Sequence, residues 1–233
     1  EGGAEMIEMF RRAQETGVTT SLDMAMPDPA GPSGTVDWPA IMRQAMPHVD
    51  LFMPSVEEWL YMVNRRRFDE LTASVGPAGM LDALQVEDVR SLGLEALGMG
   101  AKIVVLKLGQ RGLYLRPALE IDDLGRGGPT NLEAWQGREM WAPPFIPEVL
   151  VGTTGAGDAT IAGFIAALLH DLPPERVLTI AAAVGACNVE AADALSGVRT
   201  WEETLARIDA GWAQAPLTIA GWQADDYGVW HYE

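Results

Sequence analysis

The stretch VGTTGAGDATIAGFIAALL, residues 151–169, decides how the rest of the sequence is interpreted. Its small residues run directly into an apolar helical pattern, which indicates a turn that leads into a helix. The first amides of a helix have no partner inside it and carry the positive end of its dipole, so an anion can approach them closely. A phosphate loop of spacing G-x-x-x-x-G-K-[ST] would have lysine where this sequence has Asp158. The stretch therefore predicts an anion site with a carboxylate beside it.

Two interpretations of Asp158 are open. In the first, Asp158 takes the proton from an acceptor hydroxyl that attacks phosphorus, while the amides of Gly155, Ala156 and Gly157 hold the transferred phosphoryl group. In the second, Asp158 is an acidic residue of the kind favoured in a first helical turn, and the glycines only permit a tight turn. The spacing alone does not separate these two interpretations.

GTTGAGDATIAGFIAAL is similar to the G-A-G-D signature of the ribokinase family, the PfkB-type carbohydrate kinases. The resemblance covers most of the chain and matches the C-terminal two-thirds of the family. It implies an α/β, ribokinase-like (Rossmann-like) three-layer core with a largely parallel sheet. It also implies transfer of the γ-phosphoryl group of ATP, with Mg²⁺, to a hydroxyl of a sugar or sugar-like molecule. Asp158 would be the catalytic base, and the preceding amides would form the anion hole.

Two further segments resemble strand ends of that family. SLDMAMPDP, residues 21–29, is similar to its S-L-D-x-x-x-P-D-P segment. FMPSVEEW, residues 52–59, resembles its P-N-x-x-E motif, which helps to organise magnesium and phosphates. Glu58 matches the glutamate and is the implied metal residue, whereas Ser55 stands where the family has asparagine. A serine hydroxyl can still hold a water or a phosphate oxygen, so the departure weakens the metal assignment without removing it.

The nucleotide contacts are implied by VVLKLGQRG, residues 104–112, which resembles the family strand and turn beside the nucleotide. Lys107 and Gly109 would lie near the ATP phosphates, with Gly112 in the following turn. Lys107 is one of only two lysines in the chain, and its alternative role is that of an ordinary lysine at a strand end. Asn188 lies on an apolar helix that passes close to the adenine in relatives, and it is the remaining implied nucleotide contact.

The sequence departs from the family in two places. Gly152 stands where the family often has an aspartate that helps to bind a monovalent cation, so potassium activation is not expected. The N-terminal third of the family, with its glycine-rich strand, substrate-contacting aspartate and β-lid, has no counterpart in the sequence. The chain is therefore expected to be a fragment, or a divergent member whose substrate half has been lost or lies elsewhere.

Composition excludes several other classes of protein. The net charge of −17 would repel nucleic acid and anionic membrane surfaces. The single cysteine, Cys187, cannot form an internal disulfide, and no C-x-x-C or H-x-x-x-H spacing suits zinc. The segment EGGAEMIEMF lacks the order of a signal peptide, and the longest apolar run is too short to span a bilayer. We expect a cytoplasmic protein without nucleic-acid or membrane partners, and a homodimer is left open.

Alternating helical and apolar segments predict βα units around a parallel sheet in a single domain, 1–233. The expected helices are 5–16, 38–46, 56–64, 87–97, 157–169 and 174–191, and the expected strands are 18–24, 49–55, 102–109 and 113–116. Residues 65–86 indicate an irregular or partly helical insertion, because RRR is followed by Gly76 and Pro77. Residues 117–137 indicate an exposed loop between antiparallel segments. Residues 213–233 indicate an aromatic and acidic tail packed on the domain or on a partner subunit.

The other polar residues carry weaker hypotheses. Asp23 at a strand end could contact substrate or metal, although a satisfied loop aspartate is favoured. Cys187 is expected to pack in the interior, and the arginines at 65–67 to form a solvated basic turn rather than an anion contact. The three histidines show no metal-ligand pattern and are expected to be ordinary surface or half-buried residues: His48, His170 and His231.

The function that the sequence favours is an ATP-dependent carbohydrate kinase. Its acceptor is open, because the residues that would read the acceptor hydroxyls belong chiefly to the missing N-terminal third. The alternative is a non-catalytic nucleotide-binding remnant or interaction module of the same fold. The intact Asp158 in GAGD favours the enzyme, and the missing third favours the remnant.

Overall fold

The computed structural model describes residues 2–232 and divides the chain into two compact units. Unit 1 comprises Glu1–Leu108 and Leu115–Gly127, and unit 2 comprises Gly109–Tyr114 and Gly128–Glu233. The seven strands that the structure describes form a mixed sheet accompanied by helices, which confirms the expected α/β class. The single domain at 1–233, with an insertion at 65–86, stays a prediction.

Unit 1 contains three parallel strands, β1 (Ser21–Leu22), β2 (Leu51–Phe52) and β3 (Ile103–Lys107). β2 lies between the other two, with Leu51 opposite Ser21 on one side and Ile103 on the other. All of β3 is buried, as expected for a continuous apolar run in a parallel sheet. β1 and β2 are shorter than the strands predicted at 18–24 and 49–55. Their carboxyl ends lie at the same edge as that of β3.

Five helices belong to unit 1: α1 (Ala4–Glu15), α2 (Trp38–Ala45), α3 (Val56–Val63), α4 (Arg65–Ala83) and α5 (Val86–Gly98). Trp59 of α3 is fully buried and meets Phe52 of β2 edge to face, with ring centroids 4.8 Å apart. This aromatic contact anchors the start of α3 beside the end of β2.

The segment at 65–86 is helical for most of its length, which is more order than the sequence indicated. α4 is kinked at Gly76, whose φ of 73° lies in the left-handed region. Pro77 explains the kink, because proline lacks an N–H for the helix ladder and disfavours the helical conformation of the residue before it.

Strand β4 (Leu113–Pro117) has residues in both units, and the rest of unit 2 follows it. The later elements are β5 (Met140–Ala142), α6 (Ala156–Leu169), α7 (Pro174–Asn188), α8 (Trp201–Asp209), β6 (Trp222–Ala224) and β7 (Trp230–Tyr232). β7 pairs antiparallel with both β5 and β6. The tail expected at 213–233 therefore packs on unit 2 as a hairpin, and the sheet is less parallel than expected.

Helices α6 and α7 form the centre of unit 2. Thirteen of the fifteen residues of α7 are buried, so this helix is apolar around its whole circumference. The two helices approach closely because small residues face each other: a side chain at Gly185 would lie 2.2 Å from the Thr160 hydroxyl. This close packing fixes the direction in which α6 begins.

One other expectation is corrected by burial. The segment at 117–137 is not simply an exposed loop, because it buries Ile121 and Leu124 in unit 1 and Trp135 in unit 2. Burial of apolar side chains of this size stabilises the folded protein, so these residues hold the segment to the surface beneath it.

Within residues 2–232, none of the helices combines the length and the apolar character that crossing a bilayer requires.

Candidate active site

The start of α6 is built around Gly155. Its φ of 76° and ψ of 0° are left-handed, a conformation that glycine adopts without strain. A Cβ at this position would lie 2.6 Å from the Cβ of Ala194 and 2.7 Å from its Cα. Residue 155 must therefore be small both because of its backbone conformation and because Ala194 lies against it.

The first amides of α6 are only partly engaged. The Ala156 N–H donates to the Thr153 carbonyl at 3.2 Å. The N–H groups of Gly155, Gly157 and Asp158 donate to no acceptor in the part of the chain that the structure describes. Of the three amides expected to form an anion hole, those of Gly155 and Gly157 are unbonded and that of Ala156 is already bonded, so the anion hole stays a prediction.

The Asp158 carboxylate, at the third position of α6, differs from the acidic residues at the same position of three other helices. In those helices the carboxylate accepts from the backbone N–H that precedes the helix: Glu58 from Ser55 at 2.9 Å, Asp88 from Gln85 at 3.0 Å and Glu203 from Thr200 at 3.0 Å. These are capping boxes, which stabilise a helix start. Asp158 is exposed and accepts no hydrogen bond from the described residues. Its carboxylate is therefore not used to cap its own helix.

A separate polar cluster lies in unit 1 at the carboxyl ends of the parallel strands. Asp23 follows β1, Ser55 and Glu58 follow β2, and Lys107 ends β3. Lys107 is buried, and its Nζ lies 2.7 Å from Asp23 Oδ2. The other Asp23 oxygen accepts from the Met24 N–H at 2.8 Å, as expected for a satisfied loop aspartate. In open α/β sheets, this edge is where ligands bind.

Glu58 is half-buried, and burial raises its pKa above the ordinary value of 4.5. The Ser55 N–H and the charge of Lys107 act in the opposite direction, and the nearby Asp23 carboxylate adds to the rise. Burial is the largest of these causes and sets the direction of the shift. Carboxylate oxygens are ligands that Mg²⁺ prefers, and the role of Glu58 in holding this ion stays a prediction.

The two glycines implied in nucleotide binding have different surroundings. Gly109 opens a short 3₁₀ turn, Gly109–Arg111, with a φ of 52°. Gly112 has a φ of 84°, and a Cβ there would lie only 2.0 Å from the Ala142 carbonyl oxygen. The close approach to Ala142 already requires glycine at 112, so its contact with a nucleotide stays a prediction.

Asn188, the other implied nucleotide contact, lies inside unit 2 and is fully buried. Its Nδ2 donates to the Ala194 carbonyl at 2.8 Å, while its Oδ1 is buried without a hydrogen-bond partner among the described residues. Asn188 thus holds the same residue that packs against Gly155, and a direct nucleotide contact stays a prediction. Neighbouring Cys187 is buried as expected, and burial raises the pKa of its thiol.

The remaining candidates make local contacts. The arginines at 65–67 form ion pairs with Asp69, Glu70 and Asp88. His48 Nδ1 lies 2.9 Å from Gln14 Oε1, and His170 stacks on Trp201 with centroids 4.2 Å apart. His231 lies close to Asp225, six positions earlier, and to Glu175, which is far away in sequence, a proximity that no local motif signals.

Comparison with known proteins identifies the family of the chain. The model of the pfkB family carbohydrate kinases matches residues 3–201, which is most of the chain. The chain belongs to the pfkB family of carbohydrate kinases. The match includes the start of α6 and the strand-end cluster of unit 1, and it ends before β6 and β7.

Solved structures with the same fold include a ribokinase, a nucleoside kinase and a phosphofructokinase. Ribokinase from Arabidopsis thaliana, solved with ribose and ATP, is 20% identical, with a TM-score of 0.57 over 86% of this chain and 50% of that one. A nucleoside kinase from Methanocaldococcus jannaschii is 16% identical, with a TM-score of 0.53 over 86% and 52%. Phosphofructokinase-2 from Escherichia coli, solved with fructose-6-phosphate, is 18% identical, with a TM-score of 0.53 over 88% and 52%.

These likenesses show a shared fold, and this pfkB-family chain spans about half the length of each of those structures. The comparison with curated proteins gives no match.

The capping box of Ser55 and Glu58 was not predicted, although the sequence displays its pattern, S-x-x-E.

Proposed function

We propose that this pfkB-family chain transfers the γ-phosphoryl group of ATP to a hydroxyl of a sugar or sugar-like small molecule. Family membership supports phosphotransfer of the sugar-kinase type in general. The observation that carries the finer proposal is the exposed Asp158 carboxylate, which caps no helix and stands beside unbonded amides. The carboxylate takes part in no capping hydrogen bond, and it is accessible, as a general base must be.

Each group in the proposal has a chemical task. Asp158 accepts the proton of the acceptor hydroxyl as it attacks, and the amides of Gly155, Gly157 and Asp158 donate to the transferring phosphoryl group. Lys107 supplies positive charge to the nucleotide phosphates, and Glu58 helps to hold Mg²⁺. When bound, Mg²⁺ neutralises phosphate charge.

The second candidate is a non-catalytic nucleotide-binding module of the same fold. It is favoured by Lys107, whose ammonium group is already paired with Asp23.

The test that separates the two candidates uses the chain itself. We expect weak ATP–Mg²⁺ binding in calorimetry, and slow release of ADP in the presence of fructose, ribose, an aminosugar, a nucleoside or a hydroxymethylpyrimidine. Acceptor-dependent ADP release would support the enzyme, and binding without any such release would favour the module. A folded sample that binds no nucleotide would contradict both.

Lys107 offers a more specific test of the nucleotide site. Lys107→Met should weaken ATP–Mg²⁺ binding about tenfold, because it removes a charge-assisted contact with phosphate. Lys102→Met is the matched control, since Lys102 precedes β3 at its other end and pairs with Asp50 at 2.7 Å. Both variants change the net charge equally, and calorimetry on samples shown to be folded would compare them. Equal affinities for the two variants would remove Lys107 from the nucleotide site.

A further inference from the structure

Three ligand-type side chains converge in unit 2 outside the residues assigned to phosphoryl transfer. Glu175 belongs to the first turn of α7, Asp225 follows β6 and His231 lies in β7. Each offers one ligand atom, and these three atoms lie within 4.8 Å of one another. They come from segments about fifty residues apart, so only the pairing of the β6–β7 hairpin with β5 brings His231 and Asp225 to the helix.

The three side chains line a cavity of about 460 Å³. The other charged side chains of its lining are Arg138, Glu139 and Asp226, so carboxylates outnumber the single guanidinium group four to one. Such a surplus of negative charge favours a cation in the cavity. The cavity also gives an ion a path from solvent to the three ligand atoms.

Backbone groups of the turn between β6 and β7 fix the orientation of the Asp225 carboxylate. Its Oδ1 accepts from the backbone N–H groups of Tyr227 and Val229 at 2.8 and 2.9 Å. Its Oδ2 lies 2.8 Å from His231 Nε2. One oxygen thus fixes the orientation of the carboxylate and leaves the other directed at the cluster, an arrangement that is common around metal ligands.

We propose that Glu175, Asp225 and His231 form a binding site for a divalent transition-metal ion of the Zn²⁺ class. One imidazole with two carboxylates suits such an ion better than Mg²⁺ or Ca²⁺, which prefer oxygen ligands only. Metal–ligand distances of roughly 2.0–2.2 Å allow ligand atoms to be at most about 4.4 Å apart, so small side-chain shifts complete the site. The ion takes the place of the hydrogen bond between Asp225 Oδ2 and His231 Nε2.

One neighbouring group competes with the ion. Arg138 Nη2 lies 3.7 Å from Glu175 Oε1, longer than a hydrogen bond, and its side chain is 45% exposed. Arg138 Nε donates to the Ala134 carbonyl at 3.2 Å, so the Arg138 side chain is held from its own segment and does not depend on Glu175 for its position. An exposed ion pair of this kind contributes little to stability, and a metal bond readily exceeds that contribution.

The consequence of the site is structural. Asp225 and His231 lie beyond residue 201, where the family match ends, so two of the three ligands belong to the C-terminal segment of this chain and the third, Glu175, lies within the matched region. A bound ion would join the start of α7 to the β6–β7 hairpin within unit 2. It would stabilise that hairpin in proportion to its affinity, because the unfolded segment does not hold the three ligands together.

The test is a calorimetric titration of chelator-treated, dialysed protein with Zn²⁺, accompanied by thermal melts. We expect one ion to bind, the melting temperature to rise, and His231→Ala to weaken the affinity by about tenfold to a hundredfold or more. His170→Ala is the matched control, because His170 stacks on Trp201 and is not one of the three ligands. The His170→Ala variant should bind Zn²⁺ with the same affinity as the unchanged protein.

A second variant is needed because His231→Ala can weaken Zn²⁺ binding simply by loosening the hairpin. Glu175→Gln changes a residue of α7 rather than of the hairpin, keeps the shape of the side chain, and should also weaken Zn²⁺ binding. The proposal is overturned if the unchanged protein binds no Zn²⁺, or if both variants bind it as well as the His170→Ala control. It is also overturned if Mg²⁺ competes with Zn²⁺ at equal concentration.

Discussion

Asp158→Asn is expected to lower turnover by about a hundredfold or more, in the range usual for loss of a general base. Asparagine keeps the size of the side chain but cannot accept the proton of the acceptor hydroxyl. Affinity for ATP–Mg²⁺ should be unchanged or slightly improved, because a negative charge leaves the neighbourhood of the phosphates. Steady-state kinetics, nucleotide titration and a thermal melt on the same variant would measure all three quantities.

The matched control is Glu203→Gln, which alters an acidic residue at the same position of α8. Glu203 accepts from the Thr200 N–H, and that hydrogen bond lowers the pKa of its carboxyl group below the ordinary value. Its replacement should lower the melting temperature slightly and leave turnover unchanged, because the carboxylate only caps a helix. If Asp158→Asn behaves like this control, Asp158 is a helix-start residue and not a base.

Gly112→Ala is expected to lower the free energy of unfolding by about 3 kcal/mol or more, which would be the largest stability effect among our variants. Alanine at a φ of 84° is strained, and its Cβ would lie 2.0 Å from the Ala142 carbonyl oxygen. A backbone oxygen cannot rotate away as a side chain can, so β5 or the turn at 109–112 must shift. Equilibrium denaturation would measure the loss.

Gly211→Ala separates the two causes. Gly211 has a φ of 82°, almost that of Gly112, but no atom lies within 4 Å of the Cβ position. Its replacement should therefore cost only the backbone strain, about 1–2 kcal/mol. Equal losses in the two variants would show that the approach of Ala142 adds nothing.

The elements that the sequence predicts well are those with strong local patterns. The continuous apolar run of β3, and the small apolar residues of α6 and α7, indicate buried elements without knowledge of the partners that bury them. α7 ends at Asn188 rather than at 191, because Asn188 uses its side chain to bind the following segment. The short strands β5, β6 and β7 were missed, because strands of three residues have too little alternation to show a period. Helix α8 was also missed.

For the candidate site, the sequence predicts positions but not the bonding of each group. The spacing of GAGD places Asp158 in the first turn of α6, and the structure agrees. That Asp158 caps nothing, or that the Ala156 amide is already bonded, depends on hydrogen bonds that no pattern of residue types records. The same holds for Lys107 and Asp23, which are 84 positions apart and meet only because their strands end at one edge.

The packing of Ala194 against Gly155 has a consequence for how the sequence can evolve. No residue with a Cβ fits at 155 while the backbone at 194 runs where it does, because that Cβ would lie 2.7 Å from the Ala194 Cα and 3.0 Å from its carbonyl oxygen. The segment that follows α7 thus constrains a motif about forty positions earlier. Homologues in which this segment keeps the same backbone path should retain the first glycine of GAGD, even where the surrounding loop differs in composition.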